Sequence, residues 1–309
     1  MEEIKIFVPA SVANVSCGFD VLGFCLEPIG DVMGIRKIKT PGVKISKITG
    51  QKLPLDIKKN VAGVAAQAIL SECPSSFGFE IEIHKNIKAG SGIGSSAASA
   101  AGAVYGINQL IGKPFSTHDL IQFAMEGEGL ASGSPHADNV APVLLGGFTL
   151  VRSMSPVDVI KLPFPTELKA IVLHPKIELK TMHAREILKK NISLKKAVTQ
   201  WGNLAAFISA LYTEDFDLMS RSLVDEIVEP MRSILIPEFE EVKKSAMRAG
   251  ALGFGISGSG PSVFSLANGI QNANVIASAM RSSIDKIGID FEIHISTINN
   301  QGIKIISSK

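Results

Sequence analysis

Lys88-Ala89-Gly90-Ser91-Gly92-Ile93-Gly94-Ser95-Ser96-Ala97-Ala98 decides how the rest of this 309-residue chain is read. Three glycines at alternate positions run into two serines and then into an Ala-rich segment. Glycine reaches positive φ without a steric cost and lets another group approach the main chain closely. A glycine-rich turn that opens a helix directs several N–H groups at one point, where the positive end of the helix dipole also acts. Such a turn suits phosphate.

Three familiar phosphate loops do not fit it. A Walker A loop needs a lysine after its last glycine, and none follows here. A dinucleotide loop needs a third glycine where Ser95 stands, and it should follow its strand directly, whereas Lys85-Asn86-Ile87-Lys88-Ala89 intervene. The protein-kinase loop has no H-R-D or D-F-G to accompany it. What remains is a G-x-G-x-G-S-S-A-A helix entry with backbone N–H groups and serine hydroxyls as phosphate donors. A phosphate-bound Mg²⁺ wants hard oxygen ligands, few of them from protein. Ser95 or Ser96, with a carboxylate from Glu126 or Glu128, could supply them.

Composition bounds the alternatives. The chain is long enough for two lobes, with 46% hydrophobic and 19% charged residues. Against 29 acidic residues stand 31 basic ones, a net charge of +2 that argues against nucleic acid or an anionic membrane as the main partner. No apolar run is long enough to span a bilayer, and the charged start Met1-Glu2-Glu3-Ile4-Lys5 does not read as a secretory signal. Three cysteines, Cys17, Cys25 and Cys73, without CxxC spacing, argue against zinc and for a reducing cytoplasmic setting.

Around the loop, Ile4–Val8 and Phe79–His84 alternate as strands, the first ending at Pro9. Pro9 to Gly23 is then a loop of small residues, in which Asn14, Ser16 and Asp20 either satisfy local backbone or line a polar pocket. Helices are expected over 60–70, with Asn60 as N-cap, over 95–110, and from a Ser116–Asp119 capping box to about Gly127. The stripe Ala97, Ala98, Ala101, Gly102 and Gly106 marks the 95–110 helix as one that sits close on other backbone. Pro-rich composition over 153–165 suggests a lobe boundary, giving domains 1–155 and 156–309, the second with a glycine motif over 253–262. Residues 170–175 read as a buried strand. Helices follow over 181–190, 194–211, 217–228 and 236–249.

Three segments together resemble the motifs of the GHMP kinases, a superfamily that includes galactokinase, homoserine kinase and mevalonate kinase. They are Pro9-Ala10-Ser11, the loop 90–98, and Gly255-Ile256-Ser257-Gly258-Ser259-Gly260-Pro261-Ser262. Ser11 to Gly23, His136-Ala137-Asp138-Asn139-Val140-Ala141-Pro142 and Ala184-Arg185-Glu186-Ile187-Leu188 are similar to the homoserine kinase branch in particular. The chain departs from the superfamily pattern in lacking a leading proline in the second motif and in carrying Ile93 where leucine is usual.

The resemblance implies an α+β, two-lobed GHMP kinase fold, with an N-terminal lobe like ribosomal protein S5 and a C-terminal ferredoxin-like lobe. It implies ATP and Mg²⁺ as cofactors and transfer of phosphate to the side-chain hydroxyl of L-homoserine, a step toward threonine. ATP would lie on Lys88, Ala89, Gly90, Ser91, Gly92, Ile93, Gly94, Ser95, Ser96, Ala97 and Ala98. Ser96 and Glu128 would take the metal. Arg185 and Arg232 would grip the substrate carboxylate, Asp20 its ammonium, with Asn14 and His136 lining the pocket and Asn139 beside the hydroxyl. Asp138, Asn139 and Arg185 would carry catalysis, with Asp138 a general base or, alternatively, the proton passing directly to phosphate. A homodimer is implied as well. The rival expectations are a GHMP kinase with mevalonate or a sugar as acceptor, and a catalytically silent ATP-binding sensor.

Overall fold

The computed structural model spans residues 1–309 and describes all but Ser134, Glu178 and Lys180, and the side chains of Ser132, Thr181, Met182 and His183. Its first half holds β1 (Glu3–Ala13), β2 (Leu22–Ile38), β3 (Gly42–Thr49), α1 (Val61–Glu72), β4 (Gly78–His84), α2 (Ser95–Leu110), α3 (Thr117–Ser132) and α4 (Val140–Leu145). The strands β5 (Phe148–Met154), β6 (Val157–Leu162) and β7 (Leu168–Pro175) follow. Five helices come next: α5 (Thr181–Glu186), α6 (Leu194–Thr213), α7 (Phe216–Ser222), α8 (Glu229–Arg232) and α9 (Phe239–Arg248). The chain closes with β8 (Gly253–Ile256), β9 (Val263–Asn268), α10 (Ile270–Ile284), β10 (Phe291–Ile298) and β11 (Lys304–Ser308).

The strands form one network with the path β11-β1-β2-β10-β7-β9-β8, and β3, β4, β5 and β6 join it through β2. The long strand β2 is the axis. It pairs along its length with β1, along its second half with β4, and at its start with β5. A short junction, Thr297↔Glu27 and Ile298↔Leu26, ties it to β10 and so to the second part of the sheet. Alternation on β7 explains its unbroken apolar run. Ala170 and Val172 face the large core, and Ile171 and Leu173 face a second core with Phe239, Phe254 and Met280.

Small residues let α2 lie directly on the sheet. A Cβ on Gly102 would overlap Met33 Sδ and come within 2.8 Å of Val8 Cγ2. The expected caps are present: Asn60 Oδ1 accepts from Ala62 N at 3.0 Å, and Ser116 and Asp119 form a reciprocal capping box.

Four expectations about element limits are corrected. Strand β1 runs through Pro9 to Ala13, because the ladder shifts register between Pro9 and Ser11 and a proline is tolerated at such an irregularity. Helix α3 continues past Gly127, where close packing leaves no room for a side chain: a Cβ there would overlap Val61 O and approach Ala65 and Ala100. The helix expected over 181–190 ends at Glu186, where Leu188 N turns back to Arg185 O at 3.1 Å. The helix expected over 217–228 stops at Ser222 because the Asp225 carboxylate accepts from Ile227 N, Val228 N and Glu229 N, each at 2.9 Å. The Pro-rich stretch 153–165 holds the end of β5, the turn after it and all of β6.

Beneath the glycine loop, Lys85 and Asp31 form an ion pair with both side chains fully buried. Lys85 Nζ also donates to Ser95 O at 2.9 Å and Ser99 Oγ at 3.0 Å, and Asp31 Oδ1 accepts from Asn86 N and Ile87 N. Burial lowers the pKa of the ammonium and Asp31 opposes that shift. Breaking one side of a buried pair strands the other charge. Lys85→Met is therefore expected to destabilise the fold by about 3–5 kcal/mol, read from urea unfolding at pH 7. A loss below about 1 kcal/mol would mean that Asp31 finds another partner.

Candidate active site

The loop that opens α2 turns on three left-handed glycines, Gly90, Gly92 and Gly94, with φ of 74°, 85° and 72°. Gly94 is the helix N-cap and makes no side-chain cap, so the first N–H groups of α2 are presented to the front. Two remote segments fix the loop through three hydrogen bonds. Ser11 N donates to Ile93 O at 3.2 Å, Ser257 Oγ to Gly92 O at 2.7 Å, and Ser262 N to Ser91 O at 3.1 Å. The end of β1 and the 257–262 turn also meet each other, through Gly258 N to Ala13 O at 3.2 Å and Asn14 Nδ2 to Gly258 O at 2.6 Å.

A cavity of about 440 Å³ opens in front of this junction. Its lining includes Ala89, Gly90, Gly92, Gly94, Ser95 and Ser96 from the loop, and Asn14, Asp20, Glu128, His136, Asp138, Asn139, Arg185 and Arg232 from elsewhere. The expected substrate, metal and catalytic residues thus meet in one place. Five expected loop positions lie outside the lining. Lys88 is exposed, whereas Ser91, Ile93, Ala97 and Ala98 are buried, because alternate side chains of the loop and the rear face of α2 pack into the protein.

The turn after β1 carries strain. Asn14, Val15, Ser16 and Asp20 all have positive φ, of 72°, 42°, 56° and 60°. A β-branched residue in this region is costly, about 1–3 kcal/mol. Asn14 fulfils both roles considered for it: its Oδ1 accepts from Asp20 N at 3.0 Å, and the residue also lines the cavity. The Asp20 carboxylate in turn accepts from Arg185 Nη2, at 2.8 Å to each oxygen.

Two guanidinium groups share one ring. Arg185 and Arg232 lie 5.7 and 5.2 Å from the centroid of Phe19. Arg232 is almost fully buried and is fixed through Nε to Ala184 O at 2.9 Å and Nη1 to Gly258 O at 3.1 Å. Burial, then repulsion from Arg185, lowers its pKa to about 10. Burial also lowers that of His136, with Asp20 pulling it up and both arginines pushing it down.

On the opposite charge side, burial raises Glu128 to about 7, against a hydrogen bond from Ser96. Glu126, by contrast, is exposed on α3. Ser96 and Glu128 are both hard oxygen donors on the cavity wall, a set that fits Mg²⁺ when phosphate and water complete its shell. Among the described residues no group of three or more His, Cys, Asp or Glu could hold a metal. Asp138 is raised to about 7 by burial first and then by Asp20 and Glu128. Asn139, at the start of α4, accepts from Ser11 Oγ through Oδ1 at 2.8 Å, which leaves its Nδ2 hydrogens as donors.

Sequence reasoning missed Lys85, Ser99 and an apolar wall of Leu53, Pro54 and Val61. The apolar run Leu53-Pro54-Leu55 after Gln51 and Lys52 was a local sign of that wall. Among the described residues no helix is long and apolar enough to cross a membrane. Cys17, Cys25 and Cys73 are free, and burial pushes the first two up to about 12.

Fold and cavity define a two-lobed α+β protein that presents a backbone anion cradle beside a small pocket of both charges. Residues 59–147 match the family model of the GHMP kinases N terminal domain, and residues 207–286 that of the GHMP kinases C terminal domain. Homoserine kinase of Chlorobium phaeobacteroides (strain BS1) is 42% identical over 320 residues, covering 99% of this chain and 100% of that protein. That of Chlorobaculum tepidum is 43% identical over 323 residues, covering 100% and 99%. The crystal structure of homoserine kinase from Cytophaga hutchinsonii superposes with a TM-score of 0.95 at 50% identity, over 99% of this chain and 98% of that one. Mevalonate kinase of L. major shares the fold at a TM-score of 0.71 and 15% identity, over 95% and 96% of the two chains. The chain belongs to the homoserine kinase family of the GHMP kinases.

The buried carboxyl of Asp138 makes stability depend on pH. Its folded-state value lies above its ordinary 3.8, so ionisation opposes folding; its contribution is complete below 3.8 and is lost as pH rises through about 7. Asp138→Asn is expected to flatten the decline in stability across that window, measured as urea midpoints at several pH values. An unchanged slope would show that Asp138 ionises in the folded chain as it does in the unfolded one.

Proposed function

We propose that this chain transfers the γ-phosphoryl group of ATP to the side-chain hydroxyl of L-homoserine. Membership of the homoserine kinase family supports the reaction. The single structural observation that carries it is the meeting of Asp20, Arg185 and Arg232 beside the glycine loop. That is a carboxylate next to two guanidinium groups, as a zwitterionic acceptor requires. Mevalonate carries no ammonium and galactose carries neither charge, so both would leave part of this set unanswered.

In the proposed complex the phosphates rest on the N–H groups of the loop and the start of α2, and the purine lies along Leu53, Pro54 and Val61. Ser96 and Glu128 would hold Mg²⁺, which when bound neutralises phosphate charge. The carboxylate of homoserine meets Arg185 and Arg232, its ammonium meets Asp20, and Asn14 and His136 close the pocket. Asn139, its amide oxygen held by Ser11, donates from Nδ2 to the acceptor hydroxyl. The hydroxyl proton passes to Asp138, whose pKa of about 7 places it near the working pH of a general base. Phosphoryl transfer passes through a loose transition state, so position and charge neutralisation carry most of the rate.

An ADP-release assay across L-homoserine, mevalonate and galactose is expected to give turnover with homoserine alone. Inactivity with homoserine would refute the reading. Asn139→Ala is expected to stay folded and lose about a hundredfold or more in kcat. If Asp138→Asn retained wild-type kcat, the base would be lost from the mechanism and the proton would go to a phosphate oxygen.

A further inference from the structure

We propose that the Arg185–Asp20 ion pair is a specificity device that admits a ligand carrying both charges and excludes one carrying either alone. The inference rests on the reading of this pocket as the seat of an amino-acid acceptor, and it goes beyond the contacts that reading assigns. The two groups hold each other, Arg185 Nη2 lying 2.8 Å from both Asp20 oxygens. They come from α5 and from the turn after β1, and both line the cavity.

A ligand therefore does not meet two waiting charges; it meets a closed pair. A ligand with only a carboxylate must draw Arg185 away and leave Asp20 facing a second anion. One with only an ammonium must draw Asp20 away and leave Arg185 beside Arg232, both over the ring of Phe19. A zwitterion alone replaces one ion pair by two. Discrimination then exceeds the loss of a single contact, because the partner left behind is a charge without a counterion.

A second observation points to an acceptor that the protein does not provide. Among the described residues the buried Nε–H of Arg185 has no hydrogen-bond partner, although its Nη2 is engaged by Asp20. A carboxylate that took the place of Asp20 along the Nε–Nη2 edge would satisfy Nε–H as well. Arg232 cannot turn to help, since Ala184 O and Gly258 O fix it. Arg185 and Asp20, whose side chains are 34% and 29% exposed, are the charged pair that a ligand in the cavity reaches.

Two analogues separate the charges: γ-hydroxybutyrate is homoserine without its ammonium, and aminopropanol is homoserine without its carboxylate. Their affinities are measured by calorimetric titration against wild type, Asp20→Asn and Arg185→Gln, without nucleotide. Asparagine tolerates the left-handed backbone that Asp20 adopts, so the turn is kept. Asp20→Asn is expected to weaken homoserine and to tighten γ-hydroxybutyrate about fivefold, the scale of a partly exposed ion pair. Arg185→Gln is expected to do the same for aminopropanol. Relief of simple repulsion by Asp20 would give the same gain in an Arg185→Gln background, whereas release of Arg185 from the pair predicts that the gain vanishes there. Unchanged or weaker binding of both analogues in the variants would overturn the proposal. Failure of wild type to phosphorylate homoserine would strike the proposed reaction instead, and the analogue titrations would still report on the pair.

Discussion

The ammonium of Lys85, sealed under the glycine loop, is the constraint on which the site depends. An ammonium has three hydrogens, and here Asp31, Ser95 O and Ser99 Oγ take them. Lys85 lies on the cavity wall, yet it has no donor left for a phosphate. Its task is to bind the start of α2 to β2, where Asp31 sits, and to the segment leaving β4. Asp31 completes the knot by accepting from Asn86 N and Ile87 N. The loop can then be rich in glycine without being slack, since its two ends are fixed to the sheet from below.

On that fixed base both signs of charge meet in one cavity. The guanidinium groups of Arg185 and Arg232 lie over Phe19, and the carboxyls of Glu128 and Asp138 are buried in the same lining. Burial alone would keep both carboxyls protonated into the neutral range. Bound cationic charge would reverse that balance for Glu128, so on the proposed reading the metal and the carboxylate stabilise each other. The strained turn over Asn14–Ser16 belongs to the same arrangement. It places Asn14 against Gly258 and delivers Asp20 to Arg185, at a local backbone cost that the surrounding hydrogen bonds offset.

Much of this was legible in the chain itself. The helix entry after the glycine loop, the Asn60 and Ser116 caps and the small-residue stripe of α2 depend on neighbours in sequence, and the fold contains all of them. Glu128 fell at the expected position by family likeness, and its burial beside exposed Glu126 follows from which face of α3 meets α2. The illegible parts depend on distant partners. Nothing near Lys85 in sequence announces Asp31, 54 positions away. Gly127 suggested a helix end because the packing of Val61, Ala65 and Ala100 against it is tertiary. Pro9 suggested a strand end because a ladder irregularity leaves no sequence signature. The closed Arg185–Asp20 pair spans 165 positions and could be known only from coordinates.

The glycine loop is also a seam. Ser11 holds it from the first part of the chain, while Ser257 and Ser262 hold it from the last. The two lobes are therefore not interchangeable modules in descent. A C-terminal half borrowed from a relative would have to arrive with its hydroxyls and amides in register with Gly92 and Ser91, or the cradle would loosen even with every loop residue intact.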